Sequence, residues 1–155
     1  MSVELRPMRE DEFAAWREDA RIWYAADLVE NGGMRPGPAE EKARADDAMA
    51  FPEGFATPGN VLLMVDEDGA PVGSVWFAHR EQDGEKYAFL YAIKLDEEHR
   101  GRGLGRQAMQ LLEDEVRAQG FDRIMLNVFG GNERARSLYR GLGYDEAAVH
   151  VLKAI

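Results

Sequence analysis

The segment Arg100-Gly101-Arg102-Gly103-Leu104-Gly105 constrains this chain more than any other stretch. Three glycines within five residues cost backbone entropy, so the fold must need positive φ angles or bare backbone there. On one side lies an apolar run, Tyr87 to Leu95. On the other, Gly103 to Gln119 carries Leu104, Ala108, Leu111, Leu112 and Val116 at helical spacing, closed by Gly120. A strand-to-helix turn of this kind leaves first-turn N–H groups without helical partners, at the positive end of the helix dipole. It attracts phosphate, and Arg100, Arg102 and Arg106 add full charges around it. The two common nucleotide turns do not fit. A dinucleotide loop needs a glycine where Arg106 stands, and no Gly-Lys-Ser or Gly-Lys-Thr exists for a P-loop.

The flanking sequence predicts how this turn is mounted. Val3 to Met8 reads as an edge strand, and Glu10 to Val29 as an amphipathic helix with Phe13, Trp16, Ala20, Trp23 and Ala26 recurring on one face. Asn31-Gly32-Gly33 stops it, Pro36-Gly37-Pro38 continues as loop, and Ala39 to Ala50 forms a second, mostly polar helix. Phe51 to Asn60 reads as a mobile connection. Val61–Val65 and Val72–Ala78 form a hairpin around an Asp-Gly turn. After a polar loop from Glu81 to Glu85 comes a strand, Tyr87 to Leu95, in which Tyr87, Phe89, Tyr91, Ile93 and Leu95 share a face. Beyond the glycine turn and its helix, Phe121 to Val128 is a strand and Asn132 to Arg140 a helix. Tyr144 and Val149 to Ile155 supply a closing strand. The expectation is one domain over 1–155, of α/β class: antiparallel strands, then a β-α-β-α-β half, with about four helices around a mixed sheet.

Composition narrows the chemistry. A length of 155 residues suits one core. The absence of cysteine excludes disulfides, thiolate zinc sites and a Cys nucleophile. His79, His99 and His150 lack metal-ligand spacing, so no metal is expected. No apolar run is long enough to span a bilayer and no leader pattern opens the chain, so the expectation is a cytoplasmic protein without a membrane partner. A net charge of -10 argues against nucleic acid. The charge is uneven, however. Residues 1–99 carry ten basic and twenty-two acidic side chains, whereas residues 100–140 carry eight and five. This pattern suits an anionic ligand at the glycine turn and a cationic one elsewhere.

Arg100, Gly103 and Gly105 fill the pattern [RQ]-x-x-G-x-[GA]. Further on come Leu126-Asn127-Val128, Asn132, then Ala135, Leu138-Tyr139 and Gly143-Tyr144 in register. With these residues the chain resembles the GNAT superfamily of acetyl-coenzyme-A-dependent N-acetyltransferases, firmly over residues 61–155. The resemblance implies a GNAT-like fold with a splayed central sheet. It implies that the main chain of Ile93, Lys94 and Leu95 pairs with the pantetheine arm of acetyl-CoA, one amide there facing the thioester carbonyl. Arg100, Gly101, Arg102, Gly103, Leu104, Gly105 and Arg106 would hold the pyrophosphate, and Asn132 would contact the cofactor arm. Asn132 is also a good helix N-cap. Tyr139 would protonate the leaving thiolate, and it also suits a buried stripe beside Leu138.

The resemblance further implies direct transfer of acetyl to a primary amine of a small molecule or peptide in a ternary complex, and a homodimer. The acidic first 99 residues point to a cationic acceptor. One family feature is missing, because the strand Tyr87 to Ile93 holds no Asp, Glu or His to serve as base. Tyr91 lines the expected site, and Glu30, Glu98 and His99 are remote alternatives. Trp16, Trp23, Tyr24 and Trp76 suit either an acceptor pocket or the core. The missing carboxylate keeps open a non-catalytic acyl-CoA binding or sensing module, and the glycine turn alone also suits an enzyme binding another phosphate.

Overall fold

The computed structural model describes residues 2–155. Five strands form one sheet in sequence order: β1 (Val3–Pro7), β2 (Asn60–Glu67), β3 (Ala70–Gln82), β4 (Glu85–Leu95) and β5 (Ile124–Leu126). The first four pair antiparallel, and β5 runs parallel to β4. Four helices cover the sheet: α1 (Glu10–Glu30), α2 (Pro36–Ala50), α3 (Leu104–Ala118) and α4 (Glu133–Gly141). Among the described residues, no helix is long and apolar enough to cross a membrane.

Alternation along β2 and β3 divides the interior into two cores. Leu63, Val65, Val75 and Phe77 pack with Leu104, Met109 and Leu112 of α3. Leu62, Met64 and Trp76 face the other way, against Met8, Phe13, Trp16 and Phe51. In that second core the Trp16 indole donates to Ser74 Oγ at 3.0 Å and the Trp76 indole to Asn60 Oδ1 at 2.9 Å, so both buried N–H groups are satisfied. Arg6 ties β1 to its neighbours. Its Nε donates to Asp66 Oδ2 at 2.7 Å, and its two terminal nitrogens hold Glu12 at 2.8 and 3.0 Å.

Several expectations are corrected. Helix α2 begins at Pro36, not Ala39, because proline at the first helical positions needs no N–H partner there. The connection 51–60 is anchored by Phe51, only 4% exposed and in contact with the Trp16 and Trp76 rings. The loop Glu81–Glu85 shrinks to a tight turn at Asp83-Gly84. On α1 the buried positions after Ala20 are Ala25 and Leu28, and Ala26 faces solvent. Strand β5 spans three residues where eight were expected, and residues 142–155 form no strand. That segment reaches no sheet edge, and Val149, Val151, Leu152 and Ile155 are exposed.

The shared face on β4 is also corrected. Trp76 pairs with Ala92 but Phe77 with Leu90, so Tyr91 is an extra residue, a β-bulge. Ala88 and Leu90 before the bulge join Ile93 and Leu95 after it on the α3 side. Phe89 and Tyr91 belong to the opposite face, where Tyr91 stacks on Trp76 with centroids 4.4 Å apart.

Candidate active site

The bulge lies where two strands part. Strand β5 pairs with β4 only over Ala88, Leu90 and the residue between them. Beyond Tyr91, β4 stays paired to β3, while its other edge is free. The Asp96 N–H donates to Val72 O at 2.9 Å, toward β3. Alternation therefore turns the main chain of Lys94 toward β3 and that of Ile93 and Leu95 into the opening. This corrects one expectation: Lys94 has no main-chain group left to pair with a ligand in the splay. Its ammonium instead lies 4.9 Å from the Trp23 ring centroid, and burial lowers its pKa, with repulsion from Arg100 adding to the effect.

The glycine turn closes the same opening. After a 3-10 turn, Glu97–His99, the chain passes Gly101 and Gly103, both at φ +78°, and Gly103 caps α3. No atom lies within 4 Å of a Cβ built at either glycine, so backbone conformation, not crowding, requires them. The first helical amide with a partner is Gln107 N–H, to Gly103 O at 3.2 Å. The amides of Gly101, Gly103, Leu104, Gly105 and Arg106 have no acceptor among the described residues. A run of free N–H groups at a helix start is a receptor for phosphate oxygens.

The three arginines are each anchored by a neighbour. Arg100 Nε donates to Leu95 O at 3.2 Å, which occupies that carbonyl and leaves the Leu95 N–H for a ligand. Arg102 reaches Glu67 Oε1 and His99 Nδ1, each at 3.1 Å. Arg106 donates to Gly141 O at 3.2 Å, clamping α3 to the end of α4. A Cβ on Gly105 would touch Leu138 at 3.7 Å and Leu95 at 3.9 Å, so the ends of β4, α3 and α4 meet here.

Helix α4 brings Tyr139, next to Leu138, to this junction. Tyr139 is half-buried, its ring 5.8 Å from that of Tyr144, and its hydroxyl has no hydrogen bond among the described residues. Burial raises its pKa above the usual value of 10, which keeps the proton on the oxygen at neutral pH. Asn132 caps α4, its Oδ1 accepting from Ala135 N–H at 3.2 Å. Its structural role is thus occupied, and only its amide NH2 remains for a ligand.

On the opposite face a cavity of about 210 Å³ lies beside Tyr91, with Asn60, Thr57 and Arg80 among its walls. The Arg80 guanidinium lies 5.4 Å from the Tyr91 ring centroid and has no carboxylate partner among the described residues. Sequence reasoning missed both the bulge and Arg80. Both faces of β4 are apolar around Tyr91, so alternation carries no mark of a slipped register. Trp16 and Trp76 prove to be core residues, while Trp23 stays half-exposed beneath Lys94. His99 and Glu98 pair at 3.3 Å on the 3-10 turn, and Glu30 is exposed at the end of α1.

The profile of the Acetyltransferase (GNAT) family matches residues 15–144. The chain belongs to the GNAT acetyltransferase family. As a GNAT protein it is an acyltransferase, and the family uses acetyl-CoA as co-substrate. It is 30% identical over 157 residues to the uncharacterized N-acetyltransferase YycN of Bacillus subtilis strain 168, covering 100% of both chains. The crystal structure of that YycN superposes with a TM-score of 0.92 at 28% identity over 99% of each chain. The aminoglycoside N-acetyltransferase AAC(6')-Iy, solved in complex with CoA, shares the fold with a TM-score of 0.67 at 16% identity. That match covers 99% of this chain and 95% of the other.

Proposed function

We propose that this GNAT chain, acting as one domain, moves the acetyl group of acetyl-CoA to a primary amine by direct attack in a ternary complex. One observation carries this reading: the run of unpartnered amides at the start of α3, set against the free edge of β4. Acetyl-CoA fits there because its diphosphate needs N–H donors and its pantetheine amides need a strand edge.

In this reading the amides of Gly101 and of Gly103 through Arg106 hold the diphosphate. Ile93 offers an N–H and a carbonyl to the arm, and Leu95 offers an N–H. The bulge at Tyr91 marks where the thioester stops, and a β4 amide facing its carbonyl stabilises charge developing on oxygen. The acceptor enters on the Tyr91 face. A primary amine has a pKa of about 10, so it must lose a proton before attack. With no carboxylate from Tyr87 to Ile93 on β4, that proton leaves through solvent water. The amine nitrogen forms its bond to the acetyl carbon and gives a second proton to water, the carbon–sulfur bond breaks, and Tyr139 gives its phenolic proton to the departing thiolate and regains one from water.

The acidic first 99 residues draw cationic acceptors at long range. Arg80 favours a second reading, an acceptor with a carboxylate beside its amine. Thiol release with polyamines, aminoglycosides, amino acids and basic peptides separates the two. Calorimetry with CoA, ATP and NAD tests the whole reading. CoA should bind best, and preference for either nucleotide would overturn it.

A further inference from the structure

The chain has four lysines, and three of them are exposed. Lys42 pairs with Asp46 at 2.9 Å on α2, Lys86 stands beside the Asp83-Gly84 turn, and Lys153 lies near the C-terminus. Lys94 is placed differently. It is half-buried, and its side chain leaves β4 on the α1 face, which also carries Tyr91 and Trp76. Ile93 and Leu95 on either side of it turn toward α3. The Lys94 ammonium rests 4.9 Å from the Trp23 ring centroid and has no ion pair or hydrogen bond among the described residues. Asp19, Asp96 and Glu97 act on it only through space, and Arg100 repels it.

A primary amine in this position stands on the face where the acceptor enters. The thioester stops beside the bulge, about two residues along β4 from Lys94. Two residues of strand rise are about 6.6 Å and an added strand lies about 4.8 Å to the side, so the acetyl carbon falls about 8 Å from the Lys94 Cα. An extended lysine stem carries its nitrogen about 6 Å from Cα, and attack starts from about 3–3.5 Å, so the two groups meet without a shift of the backbone. No carboxylate has to be released first. Burial, then Arg100, also lowers the Lys94 pKa, so at a given pH more of it is free amine than of an exposed lysine.

We propose that Lys94 is a self-acetylation site: with no acceptor beside Tyr91, acetyl-CoA in the splay acetylates the Lys94 Nζ of the same chain. This inference rests on the acetyl-CoA reading of the site. The ammonium gives one proton to water, and the free nitrogen bonds to the acetyl carbon. The nitrogen then gives a second proton to water, the carbon–sulfur bond breaks, and the thiolate takes a proton from Tyr139, which water replaces. Lysine ammonium and acetyl-CoA thus become acetyl-lysine, CoA thiol and one proton. The modification removes the charge that rests on Trp23.

Incubation of the whole chain with acetyl-CoA and no acceptor, followed by peptide mass spectrometry, tests this. Lys94 should gain its acetyl group about tenfold or more faster than Lys42, Lys86 and Lys153. The rate per chain should stay constant as the protein is diluted, and excess CoA should protect Lys94 without protecting the other three. Lys94→Arg keeps a cation over Trp23, so it should melt and bind CoA as the wild type does and lose this modification alone. Similar rates at all four lysines would mark ordinary chemical acetylation and overturn the inference. A rate proportional to protein concentration would put the donor on another chain and overturn it too. An unmodified Lys94 in a protein that binds CoA in calorimetry would overturn self-acetylation and leave the acetyl-CoA reading standing. A protein that binds no CoA would overturn both.

Discussion

At the scale of residues, Gly103 and Tyr139 make opposite demands. Gly103 sits at φ +78° with nothing within 4 Å of a built Cβ. In Gly103→Ala the free loop relaxes, and binding must restore a left-handed residue at about 1–2 kcal/mol. Calorimetry should show CoA affinity reduced about five- to thirtyfold. Tyr139→Phe removes a hydroxyl that has no partner among the described residues, so thermal stability and CoA affinity should be nearly unchanged. Its kcat should fall on the order of a hundredfold if the phenol is the acid. Because burial raises the phenol above 10, the wild-type kcat profile should show no loss from Tyr139 between pH 6 and 9. The glycine turn was legible in the sequence because three glycines cluster within five residues. Lys94 was misread because a residue's name does not say which way its amide points.

At the scale of elements, β1, β2 and α1 are joined by Arg6. Asp66 is 4% exposed, and one of its oxygens already lacks a partner. Arg6→Met would leave the Asp66 carboxylate unpaired and Glu12 held by Arg9 alone. Because Arg6 and Glu12 are partly exposed, the cost should be about 2–3 kcal/mol in urea unfolding, below that of a fully buried pair. The Arg6 hydrogen bonds, then the Arg9 N–H, lower the Glu12 carboxyl from 4.5 to about 2. A depressed carboxylate stabilises the fold above its unfolded pKa, and that share is lost as pH falls from about 4.5 toward 2. Unfolding measured across this window should fall less steeply for Glu12→Gln than for wild type. The helices and the hairpin strands were legible from periodicity. The bulge was not, because apolar residues occupy both faces of β4 around Tyr91.

At the scale of the whole molecule, an acidic protein sets three arginines around the glycine turn. Arg100, Arg102 and Arg106 are 5, 35 and 35 residues from the partners Leu95, Glu67 and Gly141 that anchor them. Their charge and the α3 dipole should attract the CoA phosphates, and salt screens both. Raising ionic strength from 0.05 to 0.5 M should weaken CoA binding several-fold in calorimetry. A binding constant independent of salt would place the phosphates away from this turn.

Local patterns in the sequence determined the order of elements and the glycine turn. These properties depend on residues within a few positions of one another, so a linear reading reaches them. Only the tertiary structure decided the register slip at Tyr91, the direction of the Ile93 and Leu95 amides, and the fate of residues 145–155. Each of those depends on which strand lies alongside. Strand pairing joins positions far apart in the chain, through main-chain groups that every residue carries alike.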